Sequence, residues 1–211
     1  YWWNFCHRLD HAGLWAEVNL EVNGQAEMED VPIRPVLDEA MKQAEVLVTC
    51  RVNALQAVDG EIEVVFSLEG GEVARGSLQC AILEGGSEQK LSITIEQPCL
   101  WWTNGNGAQP IYKARVILRI AIDNLWGVSD QREVNFGVRR LRAVANSGGP
   151  ADALPYTLEV NGQRIFVRGW NWVPMDALYG VERPDKLRRL ISLVKDANVN
   201  LLRVWGGGLI E

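Results

Sequence analysis

The chain has 211 residues, with 21 Lys and Arg against 27 Asp and Glu, which gives a formal net charge of −6. Because a nucleic-acid-binding surface needs clustered Lys and Arg, this balance argues against a nucleic acid partner. The sequence also has no apolar run long enough to cross a membrane, and its 47% hydrophobic residues can fill a buried core.

Alternation of apolar and polar residues, the period of half-buried strands, dominates the chain from Gly13 to about Val144. The predicted strands are residues 14–22, 46–52, 61–68, 91–95, 112–122 and 131–144. Predicted turns lie at Asp59-Gly60, Gly70-Gly71, Gly85-Gly86 and Asn104-Gly105. About seven short strands at this spacing indicate an immunoglobulin-like β-sandwich.

A Gly- and Pro-rich stretch at residues 146–150 is typical of a linker or exposed loop. After it, residues 156–160 and 164–167 predict the two arms of a hairpin. Asn161-Gly162 lies between them, and this pair favours a type I′ turn because both central residues must take positive φ.

The next segment predicts a helix that begins at Pro184 and ends near Asn198. Its apolar residues recur at i, i+3, i+4 and i+7, and they are Leu187, Leu190, Ile191 and Val194. A nearly continuous apolar strand follows at residues 200–205. Strand, helix and strand in this order indicate the start of a parallel α/β sheet.

Cys6, Cys50, Cys80 and Cys99 are widely spaced and form no Cys-x-x-Cys pair, so no zinc site is expected. No ligand pair has the spacing of a metal site, and no cofactor is predicted. The cysteines favour free buried thiols in a cytosolic protein, with a disulfide between sandwich strands as the alternative.

Five segments resemble, in the same order, motifs of the β-mannosidases of glycoside hydrolase family 2. Residues 3–15 are similar to the end of the family's sugar-binding domain, with Asn4 in place of the usual Asp. Residues 100–112 and 136–140 resemble segments of its immunoglobulin-like domain. Residues 160–174 and 198–208 are similar to its hairpin with first barrel strand and to its second barrel strand, which ends in Arg-Val-Trp-Gly-Gly-Gly.

The resemblance implies a fold and its divisions. The fold class is mainly β: an immunoglobulin-like sandwich followed by the first βαβ unit of a truncated (β/α)8 barrel. Residues 1–22 would end a sugar-binding jelly-roll domain, residues 23–146 would form the sandwich, and residues 147–211 would begin the catalytic barrel. The chain is thus expected to come from within a longer protein, and a second copy could cover the apolar barrel surface as a homodimer.

The resemblance also implies a function, hydrolysis of terminal β-D-mannosides by a retaining exo-acting enzyme with a carbohydrate substrate. Retaining glycosidases need two carboxylic residues. In the family both come from later barrel strands, the acid/base after an Asn, and this chain has no Asn-Glu pair. The chain is therefore predicted to be inactive, with no catalytic residue up to and including Glu211.

Five residues are implied to bind substrate: Trp205, Arg203, Asn4, Trp172 and Asn171. A Trp ring can pack on the C–H face of a sugar, although capping of the barrel core is the alternative for Trp205. Arg203 would orient the catalytic carboxylates or form a structural ion pair. Asp176 would line the rim or cap the helix.

Two other functions remain open at this point. An exo-β-glucosaminidase of the same family would share most of the motifs, although the Arg-Val-Trp-Gly-Gly-Gly ending favours the mannosidases. A stand-alone β-sandwich module that binds carbohydrate or protein is the alternative from a different class. Such a module would need a flat exposed aromatic patch on the sandwich.

Overall fold

A computed structural model of the chain describes residues 13–14, 18–123, 125–176 and 183–206. Within these ranges lie strands and one helix, in this order: β1 (Ala26–Asp30), β2 (Ile33–Leu37), β3 (Gln43–Ala54), β4 (Val58–Leu68), β5 (Gly71–Ile82), β6 (Gly85–Glu96), β7 (Tyr112–Ile122), β8 (Leu125–Phe136), β9 (Leu141–Ala145), β10 (Tyr156–Val160), β11 (Gln163–Ile165), β12 (Gly169–Trp172), α1 (Pro184–Asp196) and β13 (Leu201–Val204). They form two compact units. The first comprises residues 22–102 and 107–165, and the second joins residues 103–106 and 166–206 with those before residue 22.

The first unit contains two antiparallel four-stranded sheets. In sheet I, β1 and β2 pair with successive parts of one edge of β3, and β6 pairs with the other edge. In sheet II the strand order is β5-β4-β7-β8. The two sheets confirm the predicted β-sandwich.

Alternation of side chains explains how the sheets bury one face each. Every second residue of β3 is almost fully buried between the sheets: Ala44, Val46, Val48, Cys50, Val52 and Ala54. Aromatic side chains fill one end of the core, where the Phe136 ring lies 5.2 Å from Phe66 and 5.4 Å from Tyr112, centroid to centroid. The Tyr112 hydroxyl accepts the Cys99 backbone N–H at 2.7 Å, so its polar end is satisfied.

Two hairpins have the turn geometry that their sequences favour. Between β10 and β11, Asn161 and Gly162 have φ values of 48° and 78°, which confirms the predicted turn with two positive φ angles. Between β4 and β5, Glu69 and Gly70 have φ values of 50° and 84°. The turn therefore lies one residue earlier than the predicted Gly70-Gly71, and Gly71 begins β5.

Several predictions of regular structure were wrong, among them the turn at Gly85-Gly86, since both glycines pair with β3 at the start of β6. The described part of the strand predicted over 14–22, Leu14 and residues 18–22, forms no strand. Their apolar side chains are largely exposed, at 74% for Val18, 92% for Leu20 and 87% for Val22. An alternating pattern becomes a strand only when a neighbouring strand supplies hydrogen bonds and a core covers one face. The predicted turn at Asp59-Gly60 lies inside β4, where a Cβ on Gly60 would meet the Ile82 Cδ1 atom at 2.5 Å.

The long strand predicted over 131–144 is two strands, β8 and β9. The chain leaves sheet II at Gly137, because Val138 forms a bridge with Leu100 instead of continuing the pairing with β7. Gly137 permits this approach, since a Cβ there would lie 3.2 Å from the Trp101 side chain. The Arg139 guanidinium lies over the Trp101 ring, 4.6 Å from its centroid.

A buried asparagine ties the small sheet β11-β10-β9 to this crossing. Asn161 is 4% exposed. Its Nδ2 donates to the Trp101 carbonyl at 3.0 Å, and its Oδ1 accepts the Arg140 N–H at 2.8 Å. Its own backbone N–H donates to the Arg140 carbonyl at 2.9 Å. Three sequence segments that are far apart, around residues 101, 140 and 161, therefore meet at one side chain.

The second unit has the predicted strand–helix–strand order. β12 and β13 pair in parallel, and α1 connects them. Pro184 stands in the first turn of α1 as predicted, and Val194 is the buried member of the helix stripe, whereas Ile191 is 44% exposed. The arrangement confirms the βαβ unit. In the described part of the chain, no helix is both long and apolar enough to cross a membrane.

Candidate functional site

The C-terminal ends of β12 and β13 bring two predicted site residues together. Parallel pairing places Asn171 opposite Arg203, and the Arg203 Nη1 atom donates to Asn171 Oδ1 at 3.2 Å. Both side chains are exposed. An arginine has five N–H donors, so one contact does not use up its capacity to donate to a further group.

Two tryptophans follow at the same edge. Trp172 is the last residue of β12, and Trp205 comes directly after β13. The Trp205 backbone N–H donates to the Trp172 carbonyl at 3.1 Å, which extends the strand pairing by one residue. Both residues are half-buried. A half-buried indole offers one covered face and one available edge or face, an arrangement suited to a sugar ring.

The opposite ends of the same two strands are held by Asn200, a residue that the sequence analysis did not single out. Its Nδ2 donates to the Phe166 carbonyl and its Oδ1 accepts the Arg168 N–H, both at 2.9 Å. Its backbone N–H donates to the Arg168 carbonyl, also at 2.9 Å. A slip of one residue between β12 and β13 would turn every side chain of the slipped strand to the other face of the sheet. These three bonds hold the register and so determine which residues lie beside Arg203.

A four-residue loop supports the same end of this unit. The Nδ2 atom of Asn104 donates to the carbonyls of Lys195 and Val199, at 3.2 and 3.1 Å. The last carbonyls of a helix lack partners within the helix, so Asn104 acts as a C-terminal cap of α1. The only sequence signal for this role was the Asn-Gly pair, which by itself indicates a turn.

Asp176 does not cap the helix, one of the two roles considered for it, and its place at the rim stays a prediction. The N-cap of α1 is Arg183, and no side chain caps the helix there. Asp176 Oδ2 instead lies 2.9 Å from Arg183 Nε and 3.6 Å from Lys186 Nζ. The carboxylate thus pairs with the residue directly before α1 and with a lysine in the first turn of α1. Asn4, the remaining predicted substrate-binding residue, lies outside the described residues.

The sandwich offers no broad aromatic platform within the residues described. Trp126 is half-exposed at 51%, beside the aliphatic Leu125. Trp101 is covered by Arg139, and a Cβ at Gly107 would lie 2.7 Å from the Trp102 ring, so Trp102 packs on backbone. The flat exposed patch expected of a stand-alone carbohydrate-binding module is therefore not present on this part of the chain.

An open cavity of about 340 Å³ lies on the outer face of sheet II. Arg119 stands in it and pairs with Glu63 at 2.7 Å and with Glu61 at 3.9 Å. With Arg75, which also lines the cavity, two arginines balance two glutamates, and no aromatic side chain lines the cavity. Across the described ranges, no three His, Cys, Asp or Glu residues gather to hold a metal ion.

The sandwich and the βαβ unit with tryptophans at its strand ends define the class, a protein that combines a β-sandwich with a parallel βαβ unit. The model of glycosyl hydrolases family 2 matches residues 26–139, more than half of the chain. The chain therefore belongs to glycosyl hydrolase family 2.

Known relatives agree with this assignment. The chain is 27% identical over 99% of its length to the β-mannosidase of Mus musculus, of which it covers 24%. It resembles the crystal structure of the β-D-mannosidase from Dictyoglomus thermophilum with a TM-score of 0.75 and 27% identity, over 89% of this chain and 22% of that one. The exo-chitosanase of Amycolatopsis orientalis shares the fold, with a TM-score of 0.66 and 21% identity over 90% of this chain and 21% of that one.

The chain thus spans about a quarter of the length of the relatives that it matches. The similarity to β-mannosidases extends over the sandwich and over the βαβ unit alike, because it covers nearly the whole chain.

Proposed function

We propose that this chain is the sandwich and first barrel segment of a retaining exo-β-glycosidase that hydrolyses terminal β-D-mannosides. The observation that carries the proposal is the similarity to β-mannosidases over 99% of the chain, which includes the strand ends with Asn171, Arg203 and Trp205. In an α/β barrel, the C-terminal ends of the strands are where substrates bind.

The geometry supports different roles for the residues at this edge. Trp205 would pack against the C–H face of the terminal sugar, and Trp172 would form the adjoining wall. Arg203, steadied by its hydrogen bond to Asn171, would orient carboxylates with its other N–H groups. Asn4 would donate and accept hydrogen bonds to a sugar hydroxyl, without the charge of the Asp that it replaces.

The same proposal holds that the chain does not catalyse the reaction by itself. Hydrolysis with retention needs two carboxylic residues about 5–5.5 Å apart. Neither β12 nor β13 contains an Asp or Glu, and the sequence contains no Asn-Glu pair. The domain limits of 1–22, 23–146 and 147–211 stay predictions, as does a homodimer that covers Leu201, Leu202 and Val204.

The first test is hydrolysis of a panel of 4-nitrophenyl β-glycosides by this chain and by the product of the complete gene. We expect release from the β-mannoside by the complete protein and none by the chain. Preference for another β-glycoside, such as the β-glucosaminide, would replace the mannosidase proposal within the same family. Hydrolysis by the chain itself would contradict the proposal that both catalytic carboxylic residues lie outside it.

A pair of variants of the complete protein tests the site itself. Trp205→Ala should lower kcat/KM at least about tenfold, because stacking and apolar burial of one sugar face contribute roughly 1.5 kcal/mol or more. Trp126→Ala is the matched control, since Trp126 is a half-exposed tryptophan of the sandwich. The opposite outcome, loss of sugar binding with Trp126→Ala only, would favour a carbohydrate-binding sandwich.

A further inference from the structure

Two cysteines face the interior of the sandwich from different sheets. Cys50 lies in β3 of sheet I and is 1% exposed. Cys80 lies in β5 of sheet II, is half-buried, and packs against the same core. In both strands the neighbouring residues are more exposed, so both thiols point into the space between the sheets. Both are free thiols in this structure.

Gln89 shows that the two cysteines lie at the same level of the sandwich. Gln89 is the register partner of Cys50 across β3 and β6. Its Nε2 atom donates to the carbonyl of Ala81, the residue after Cys80, at 3.3 Å. Strands β5 and β6 follow each other through a short turn at residues 83–84, and Cα atoms of the two strands approach within 8 Å. The backbone of Cys80 thus runs beside the strand that adjoins Cys50.

The electrostatics agree with a short separation. Burial, and secondly the charge of Cys80, raise the pKa of the Cys50 thiol to about 12, and burial also raises the pKa of Cys80. A charge on one sulfur affects the other only when the two are close, because the interaction falls with distance. Cys80 also lies in an edge strand of sheet II, which opens more readily than a central one.

We propose that Cys50 and Cys80 are an oxidisable pair that forms a disulfide between the two sheets when the protein meets a small disulfide such as oxidised glutathione. The proposal is independent of the glycosidase activity. No other pair of cysteines in the described residues faces one core from two sheets in this way.

The exchange proceeds in two steps. The Cys80 thiolate attacks one sulfur of oxidised glutathione and releases one glutathione thiolate. The sulfur of Cys50, deprotonated as β5 opens, then attacks Cys80 in the mixed disulfide and releases the second glutathione. The protein loses two electrons and two protons, and oxidised glutathione gains them as two molecules of glutathione. Burial of Cys50 makes the second step the slow one.

The test uses the variant Cys6→Ser/Cys99→Ser of the full chain, which keeps only the two cysteines of interest. After incubation with oxidised glutathione, acid quenching and alkylation with N-ethylmaleimide under denaturing conditions, we expect a loss of two hydrogen masses and no alkylation. Peptide mapping should then join residues 50 and 80. Closing a loop of about 30 residues should raise Tm by on the order of 5 °C over the reduced form.

Cys6→Ser/Cys80→Ser/Cys99→Ser is the control and should keep one alkylatable thiol on Cys50. The proposal is overturned if both thiols are alkylated after oxidation of the folded protein and after refolding in oxidised glutathione. A disulfide that lowers Tm would overturn it as well, since it would show that the sulfurs do not meet in the native sandwich. If the variant does not fold, the same peptide map of the unmutated chain decides.

Discussion

Replacing Asn161 is the most direct test of what stabilises the contact between the segments around Trp101, Arg140 and Asn161. The change of Asn161 to Ala removes the bonds to the Trp101 carbonyl and the Arg140 N–H, at 3.0 and 2.8 Å, and leaves both backbone groups without that partner. Two hydrogen bonds lost from a buried site cost about 2 kcal/mol together. Asn161 also has φ of 48°, and a residue with a Cβ and no compensating side chain adds about 1 kcal/mol of strain there.

The free energy of unfolding should therefore fall by about 3 kcal/mol in Asn161→Ala. Asn161→Gly loses the same bonds but accepts the positive φ, so we expect a loss of about 2 kcal/mol. In a chain of this size, 1 kcal/mol corresponds to about 2–4 °C in Tm, so the Ala variant should melt roughly 6–12 °C lower. Urea unfolding followed by tryptophan fluorescence measures all three proteins.

Two results would refute this reasoning. A change below about 0.5 kcal/mol in Asn161→Ala would show that the network at Trp101 and Arg140 contributes nothing net. Equal losses in the Gly and Ala variants would show that the positive φ at residue 161 carries no strain. A useful control is Asn146→Ala, because Asn146 makes its bond to the Leu154 carbonyl at the exposed surface and should change stability little.

Other substitutions test separate parts of the fold. Gly60→Ala should cost about 1–3 kcal/mol, because its Cβ would overlap Ile82, whereas Gly127→Ala meets nothing within 4 Å and should be nearly neutral in thermal unfolding. Asn200→Ala should speed hydrogen exchange in β12 and β13 by on the order of tenfold or more. Asn200→Asp keeps the acceptor for the Arg168 N–H, so it should speed exchange less. Unchanged exchange in Asn200→Ala would contradict the role of Asn200 in fixing the register of the two strands. The backbone N–H groups of Gln43 and Lys42 lower the pKa of Asp38, so its contribution is fully present above the ordinary carboxyl pKa and is lost as pH falls through the lower folded value. Asp38→Asn should accordingly flatten the fall of Tm below about pH 4, and an unchanged acid limb would contradict this account.

Local signals were enough to predict much of the fold. Asn161-Gly162 specifies its own turn, and Pro184 with the apolar stripe of α1 specifies the helix, because these patterns act over a few residues. The break at Gly137 could not be found in this way, since it depends on Leu100 and Trp101, which lie far away in the sequence. The predicted strand at 14–22 failed for a related reason, because periodicity does not say whether a partner strand exists.

The candidate site was predictable in part. The strand ends place Asn171, Trp172, Arg203 and Trp205 at one edge, which follows from parallel pairing. That Arg203 lies beside Asn171, rather than one residue away, depends on the register. The register in turn depends on the side-chain amide of Asn200, whose contacts are more than 30 residues distant in sequence. No periodic pattern reports such a contact.

The Asn104 cap has a consequence for how this protein can be divided. Residues 103–106 are encoded within the sandwich, yet they belong to the unit that contains α1, and the Asn104 side chain donates to the Lys195 carbonyl in its last turn and to the Val199 carbonyl after it. A cut before residue 166 would separate the helix from its own cap. A chimaera that takes residues 166–206 from a relative would therefore also need the loop at 103–106 from that relative to keep these two bonds.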